Sequence, residues 1–265
     1  MSARRIFVVA TLIAIFLLTL SPAGAIRSGQ PDNGEHPYVG LLYSFISDEE
    51  GGYVCTGTLL NSRVFLTAAH CVAEPGITEY LVSFTERPLV DGFNWVEGNA
   101  YWHPDYDGLT VPDTSDIAVV ILKKPVRMDT YGALPEAGLL DQLAASRGIE
   151  NVDFTAVGYG LQTSPQPQSN HVEEWDIARY KADQQLVEIN SALTGGYNVK
   201  LSNNNGIGGG TCSGDSGGPI LHHGTNVVVA VNSFGVAPHC VGNDYAYRTD
   251  TAKARAFLAN FISVP

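Results

Sequence analysis

The 265-residue chain has few cysteines and few basic residues, and both shortages narrow what it can do. It has four cysteines, no Cys-x-x-Cys pair and no histidine-rich run, so the usual spacing of a zinc site is missing. We therefore expect no metal and no other cofactor. Lys and Arg number 15 against 27 Asp and Glu, which gives a formal charge of −12. Such an acidic chain is poorly suited to nucleic acid or to an anionic membrane surface, and we expect neither as a partner.

No apolar run in the sequence is long enough to span a membrane. The longest candidate, Ile6–Leu20, has fifteen residues, whereas a spanning helix needs roughly 20. Two arginines precede this run, and Ala23 and Ala25 follow it in the A-x-A pattern of a signal peptidase site. The sequence therefore predicts a signal peptide over residues 1–25 rather than a membrane anchor. We expect a secreted, extracellular protein without stable membrane association after cleavage.

The chain also lacks internal repeats and heptads, and its periodic segments are short. Runs rich in β-forming residues recur between turn residues, which predicts an all-β sandwich or barrel. One helical pattern stands out, TAKARAFLANFI after Asp250. Residues 124–148 break the strand rhythm and indicate a linker between two β halves. The predicted strand segments are YVGLLYSF, YVCTGTLL, RVFLTAA, YLVSF, IAVVIL, VDFTAVGYG and NVVVAVNSF.

One serine lies in a stretch that is dense in glycine. Residues 208–224, GGGTCSGDSGGPILHHG, contain seven glycines in seventeen residues; glycine is used where the backbone takes unusual conformations or must be approached closely. The stretch could be a flexible surface loop, but two other segments favour a catalytic site. LTAAHC carries His70, and TSDIAVVIL opens with an aspartate ahead of an apolar run. A serine nucleophile needs a base, and that base needs a group to orient it.

The aspartate that would orient His70 is not uniquely defined by this pattern. Asp116 precedes the most apolar strand, so its carboxylate is expected to approach the core, but Asp113 or Asp107 could take its place. Each of these residues alone has an ordinary structural explanation. The combination with Ser216 predicts nucleophilic catalysis.

TAAHC, SDIAVVIL and GDSGGP resemble the three signature segments of the chymotrypsin-like (trypsin-type) serine proteases, in that family's order. HPYVG, WHPDY, VGYG and NSFG resemble further family segments. GDSGG also fits the G-x-S-x-G elbow of α/β-hydrolases, but that elbow leads directly into a helix. Here Pro219 and a β-rich run follow instead. The resemblance implies two antiparallel β-barrels of the chymotrypsin type with a C-terminal helix, the first over residues 26–135 and the second over 136–265.

The resemblance also implies a function and its catalytic residues. It indicates a secreted serine endopeptidase that hydrolyses peptide bonds by an acyl-enzyme mechanism, acts on protein or peptide substrates and is a monomer. Ser216 would be the nucleophile, His70 the base and Asp116 its orienting group. The N–H groups of Gly214 and Ser216 would form the oxyanion hole. The alternatives are a catalytically silent homologue that acts as a binding protein, and an esterase that uses the same triad.

The resemblance further implies an activation pair and two disulfides. Cleavage after Ala25 would leave Ile26 as the new N-terminus, whose amino group would pair with Asp215, although Arg27 and Ser28 depart from the family's usual Val-Gly. The four cysteines allow three pairings. The family pattern implies two bridges, Cys55–Cys71 and Cys212–Cys240.

A substrate pocket is implied beside Ser216. The family's aspartate six residues before the serine, which selects Lys and Arg, is replaced by Gly210. Asp244 aligns with another position at the pocket base or falls one position away from it. We expect a preference for large side chains, with Lys and Arg accepted only if Asp244 reaches the base. The predicted pocket residues are Gly210, Ser233, Phe234, Gly235 and Asp244.

Overall fold

The computed structural model describes residues 26, 29–47, 51–146, 153–162, 176–204 and 208–265. The predicted signal peptide, residues 1–25, lies outside the described residues, as does the segment SPQPQSN at 164–170, whose composition predicts a loop. No helix in the described ranges is both long enough and apolar enough to cross a membrane.

Six antiparallel strands close the first barrel. Their order around the barrel is β2-β3-β4-β7-β6-β5. Leu42, Phe65, Val82 and Val120 are fully buried among the apolar side chains of its core. In the half-buried strands apolar residues alternate with polar ones. In the fully buried strands apolar residues occupy both faces. The strands are β2 (Val39–Ser47), β3 (Gly51–Leu59), β4 (Val64–Thr67), β5 (Glu79–Ser83), β6 (Val96–Trp102) and β7 (Ala118–Leu122).

The second barrel also has six antiparallel strands. The strand order is β9-β10-β13-β12-β11-β8, and pairing of β8 with β9 closes it. The short strand β1 (Gln30–Pro31) pairs with the first two residues of β9. The strands are β8 (Asp153–Gly158), β9 (Tyr180–Glu188), β10 (Asn198–Asn203), β11 (Pro219–His222), β12 (Val228–Gly235) and β13 (Gly242–Arg248). The predicted all-β class with two barrels is confirmed.

The described helices are few and short. α1 (Pro88–Asp91) lies in the connection from β5 to β6, and α2 (Leu139–Ala145) lies in the segment predicted as a linker. The predicted C-terminal helix is present as α3 (Ala252–Leu258), where the Thr251 side chain accepts a hydrogen bond from Ala254 N. This is the usual N-cap interaction of threonine.

The first described strand and the last described helix each pack against the opposite barrel. β1 precedes the first barrel in sequence but pairs with the second, and α3 follows the second barrel but packs its buried face into the core of the first. The phenyl ring of Phe257 lies 5.4 Å from the ring of His103. The domain limits of 26–135 and 136–265 remain a prediction. Because of these two crossings, β1 and α3 pack against the barrel formed by the other half of the sequence.

A buried ion pair joins the two barrels and the N-terminal segment. Arg179, next to β9, donates from Nε to Asp32 Oδ2 at 2.8 Å, and both side chains are almost fully buried. Its Nη1 also donates to the carbonyl oxygens of Val39 and Phe84 in the first barrel. Because a buried charge is strongly unfavourable without its partner, this contact fixes the relative position of three segments.

Candidate active site

His70 lies on the 3-10 turn Ala69–Cys71, directly after β4. The disulfide Cys55–Cys71, with a Cα–Cα distance of 6.2 Å, ties this turn to β3. The His70 side chain is 21% exposed, so one edge of the ring remains accessible. The turn and the disulfide therefore present the imidazole at a barrel rim instead of burying it.

Asp116 is the carboxylate that contacts His70. It lies two residues before β7 and is fully buried. Its Oδ1 accepts the backbone N–H of His70 at 2.9 Å, and its Oδ2 lies 2.8 Å from His70 Nδ1. Asp113, the alternative in the sequence, instead binds Ser115, Tyr247 and Lys253. This geometry places the Nδ1 proton towards Asp116 and leaves Nε2 for another partner.

A residue of the second barrel completes the surroundings of Asp116. Ser233 Oγ, on β12, donates to Asp116 Oδ2 at 2.5 Å. Burial raises the Asp116 pKa, but the His70 charge and the hydrogen bonds from His70 and Ser233 outweigh it, so the pKa is lowered overall. For His70, burial lowers the pKa, while Asp116 and, more weakly, Glu74 raise it; the net result is a raised pKa. The pair therefore favours a charged imidazolium.

Ser216 lies in the glycine-rich turn that precedes β11. Its carbonyl oxygen accepts Thr56 N from β3 at 2.8 Å, while Thr56 Oγ1 donates to Gly214 O at 2.8 Å. A side chain at Gly217 would place its Cβ 2.1 Å from Thr67 Oγ1 and 2.4 Å from the carbonyl of Thr56. The serine turn thus approaches the backbone of the first barrel so closely that glycine is required there.

The turn also leaves two N–H groups free to bind an anion. Gly214 has φ +97°, in the region that favours glycine. Within the described residues, neither Gly214 N nor Ser216 N donates a hydrogen bond. Ser216 Oγ likewise makes no hydrogen bond to the His70 ring in this part of the chain; such contacts are often long in the absence of substrate.

Asp215, beside the serine, is a buried carboxylate with no cation beside it among the described residues. Its Oδ1 accepts Gly160 N at 2.8 Å and its Oδ2 accepts Cys212 N at 2.9 Å. Burial raises its pKa to about 7, despite these two hydrogen bonds. Ile26 is fully buried in the core of the second barrel, with its carbonyl oxygen accepting Gly29 N at 2.7 Å.

A cavity of about 340 Å³ adjoins Ser216. Four of the five predicted pocket residues line it, namely Ser233, Phe234, Gly235 and Asp244. The disulfide Cys212–Cys240, with a Cα–Cα distance of 5.1 Å, forms part of its wall. Gly210 does not belong to this lining; a Cβ there would lie 2.0 Å from Cγ of Asn203.

Asn203 and Gln184 are residues that the sequence interpretation missed. Asn203 Nδ2 donates to Asp244 Oδ1 at 2.8 Å, Gln184 Nε2 donates to Oδ2, and Thr211 N donates to Oδ2 at 2.7 Å. Burial nevertheless raises the Asp244 pKa. Asp244 reaches the cavity, and internal hydrogen-bond donors already occupy both of its oxygens. The one feature that distinguishes Gln184 in the sequence is its place as a polar residue at an inward-facing position of β9.

The described residues include one grouping of potential metal ligands, formed by Cys55, His70 and Cys71. The two sulfurs are joined in a disulfide, so neither is a thiolate, the form of cysteine that binds metal. This grouping does not offer the ligand set of a zinc site.

A sequence profile of the family described as Trypsin matches residues 26–258. The chain belongs to the trypsin family. It is similar to "Serine protease 1" of Drosophila melanogaster, with 28% identity over 223 residues, which cover 82% of this chain and 78% of that protein. It is 31% identical over 192 residues to "Trypsin, alkaline B" of Manduca sexta, covering 68% of this chain and 69% of the relative. The alignment with the "Vitellin-degrading protease" of Bombyx mori has 29% identity and spans 65% of this chain and 63% of that protein.

Solved structures of the same fold are more distant in sequence. "HL collagenase" matches 89% of this chain and 96% of its own with a TM-score of 0.68 and 19% identity. An inactivated protease paralogue of the scabies mite matches 88% of this chain and 98% of its own, with a TM-score of 0.63 and 16% identity. These likenesses show the two-barrel fold of the trypsin family.

The directions of the pKa shifts at the site can be measured directly. In an NMR titration of the imidazoles, His70 should titrate above 6.5, whereas His103, whose pKa is lowered by burial and by Lys253, should titrate below it. Asp116→Asn should lower the His70 pKa, because burial, which lowers it, then acts without the Asp116 carboxylate. The surface variant Asp183→Asn should leave His70 unchanged. A His70 pKa that is insensitive to Asp116→Asn would contradict the coupling described above.

Proposed function

We propose that the protein is a secreted serine endopeptidase that hydrolyses peptide bonds through an acyl-enzyme. The observation that carries the proposal is the fully buried Asp116 carboxylate, held 2.8 Å from the His70 ring and bound by Ser233, which lines the same cavity as Ser216. A carboxylate in this position orients the imidazole and stabilises its cation. Proteins or peptides are the substrates that the trypsin family implies.

The reaction follows from the arrangement of these groups. Ser216 Oγ attacks the peptide carbonyl as its proton passes to His70 Nε2, and Asp116 stabilises the resulting imidazolium. The free N–H groups of Gly214 and Ser216 bind the oxyanion. The imidazolium returns its proton to the leaving amine. Water, activated by His70, then hydrolyses the ester on Ser216 and regenerates the free hydroxyl.

Two alternatives have a specific basis. One structural neighbour is described as an inactivated protease paralogue, so a silent homologue that acts as a binding protein is the first. Against it, Ser216, His70 and Asp116 are all present, and Ser233 supports Asp116. An esterase with the same triad is the second alternative. Parallel assays on peptide and simple ester substrates distinguish it, since an esterase would hydrolyse only the latter.

The test of the triad is Ser216→Ala. It should reduce kcat for a peptide substrate by about 10⁶-fold while the thermal unfolding midpoint stays close to that of the parent. His70→Ala should cause a comparable loss, since the triad acts as a unit. The ascending limb of the rate–pH profile should lie above 6.5, because the His70 pKa is raised. Peptide hydrolysis by purified Ser216→Ala at near-parental rates would rule out this mechanism.

The second prediction concerns the cavity beside Ser216. We propose that it accepts large uncharged side chains best, because Asn203, Gln184 and Thr211 already occupy the Asp244 oxygens. Since burial raises the Asp244 pKa, cleavage after Lys and Arg should increase with pH relative to cleavage after Phe and Leu. A peptide library assayed at pH 6 and pH 9 measures this ratio. Asp244→Asn should remove its pH dependence, whereas Asp183→Asn should not. Exclusive cleavage after Lys or Arg that survives Asp244→Asn would overturn the assignment.

The third prediction concerns activation. We propose that cleavage after Ala25 frees the amino group of Ile26 to pair with Asp215. In the uncleaved chain, the rise of the Asp215 pKa from 3.8 to about 7 corresponds to about 4 kcal/mol. A raised folded-state pKa gives stability that is complete below pH 3.8 and is lost as pH rises through 7. The uncleaved form should therefore lose stability between about pH 4 and pH 7, relative to the form that begins at Ile26, in which the charges are paired.

Urea unfolding of both forms across this pH range measures the difference. Asp215→Asn should abolish it and should inactivate the cleaved form with the triad intact. Above the reference α-amino pKa of about 8, the advantage of the cleaved form should decline. Identical pH dependence in the two forms, or a fully active enzyme that begins elsewhere than Ile26, would rule out the pair.

A further inference from the structure

The segment that leads into Asp116 is held by residues from the other half of the chain. Asn198, on β10, donates from Nδ2 to the carbonyl oxygen of Pro112 at 2.8 Å, and its Oδ1 lies 3.4 Å from Thr114 Oγ1. Thr114, Ser115 and Asp116 are all fully buried. The position of Asp116 therefore depends on contacts outside the barrel to which it belongs.

Asp113 organises the turn that immediately precedes Asp116. Its Oδ1 accepts Ser115 N at 3.3 Å and Ser115 Oγ at 3.2 Å, and it also lies 3.4 Å from the hydroxyl of Tyr247. Ser115 has φ +47°, a left-handed conformation that is unfavourable for a residue other than glycine. Such a conformation persists only where surrounding contacts maintain it. Here the Asp113 carboxylate supplies two of these contacts.

Lys253, on helix α3, binds this carboxylate. Its Nζ lies 2.6 Å from Asp113 Oδ2 and 2.9 Å from Asp105 Oδ2. One ammonium group thus joins two positions of the single loop between β6 and β7 and neutralises two carboxylates that would otherwise repel each other. Two further titratable groups lie close to the lysine. One is His103, whose pKa is lowered first by burial and second by the Lys253 charge. The other is Tyr247, whose hydroxyl donates to Asp113.

We infer that Lys253 is a positioning residue for the proposed catalysis: by binding Asp113, it maintains the Ser115 turn and so holds the Asp116 carboxylate against His70. The inference rests on the proposed function for its kinetic consequences. The contacts that lead from Lys253 through Asp113 and Ser115 to Asp116 are present in the structure whatever the function is. Among the described residues, Lys253 contacts neither His70 nor the lining of the cavity beside Ser216, so its contacts reach Asp116 through this chain.

The test replaces Lys253 with methionine, which keeps the length of the side chain and removes its charge. In Lys253→Met we expect kcat to fall by about ten- to a hundredfold, the scale of a small misplacement of a catalytic group, with KM within about twofold. The ascending limb should move to lower pH, because a displaced Asp116 stabilises the His70 cation less. Lys253→Arg should retain most of the parental kcat, since it keeps the charge. An NMR titration of His70 in Lys253→Met should show the same downward shift without any turnover.

Two controls separate positioning from a general loss of stability. Lys181→Met removes a lysine that is 22% exposed, close to the 28% of Lys253, and that pairs with Glu35 at 2.5 Å; it should change neither kcat nor the His70 pKa. In a double-mutant cycle with Asp113→Asn, the double variant should be no slower than the slower single variant, because both substitutions break one chain of contacts.

Specific outcomes would overturn the inference. They are an unchanged His70 pKa in Lys253→Met, additive effects in the cycle, or an equal loss in Lys181→Met. A shift of the His70 pKa to higher values would also overturn it, because it would show direct action of the lysine charge instead of positioning. The parental protein and Ser216→Ala, assayed alongside, report separately on the proposed function. If neither hydrolyses peptides, the protease proposal fails, and the His70 titration still decides the role of Lys253.

Discussion

The buried carboxylate of Asp116 is the group on which the rest of the site depends. A fully buried aspartate stays charged only if hydrogen-bond donors and a cation replace the water it has lost. Here the donors come from His70, through its backbone N–H and its ring, and from Ser233 on the second barrel. The two barrels must therefore close on each other before the carboxylate is satisfied. The Asp116 carboxylate in turn raises the His70 pKa, against the effect of burial, which lowers it.

The turn that carries Ser216 is also held by contacts with the other barrel. Thr56 of the first barrel binds the carbonyl oxygens of Gly214 and Ser216, and Gly217 leaves no room for a side chain between the barrels. The free N–H groups of the turn are thus oriented by a strand that is distant in sequence. Helix α3 makes a third contact of this kind. It crosses to the first barrel, and its Lys253 binds the loop before Asp116. Each barrel therefore positions candidate catalytic groups that the other one carries.

The sequence predicted the strands whose side chains are apolar on one or both faces. It did not predict strands that have polar residues at inward-facing positions. YVGLLYSF, YVCTGTLL and IAVVIL correspond to β2, β3 and β7. β9, YKADQQLVE, was missed because its inward-facing positions include Gln184, which hydrogen-bonds to Asp244 in place of apolar packing. Gly210 was assigned to the pocket by its distance from Ser216 in sequence, but the Asn203 side chain occupies the space beside it. The missed strand and the position of Gly210 outside the cavity lining have one cause, a polar network buried within the second barrel.

The sequence by itself determined the fold class, both disulfide pairings through family resemblance, and the residues His70, Asp116 and Ser216 as candidates for chemistry. Those features are local, because strand periodicity, turn glycines and short motifs are written in consecutive residues. Only the tertiary structure decided that Asp116 and not Asp113 contacts His70, that Asp244 is hydrogen-bonded by Gln184 and Asn203, and that Lys253 reaches the loop before Asp116. These contacts join residues between roughly 40 and 140 positions apart, and no local pattern specifies which of several similar side chains will meet once both barrels have closed.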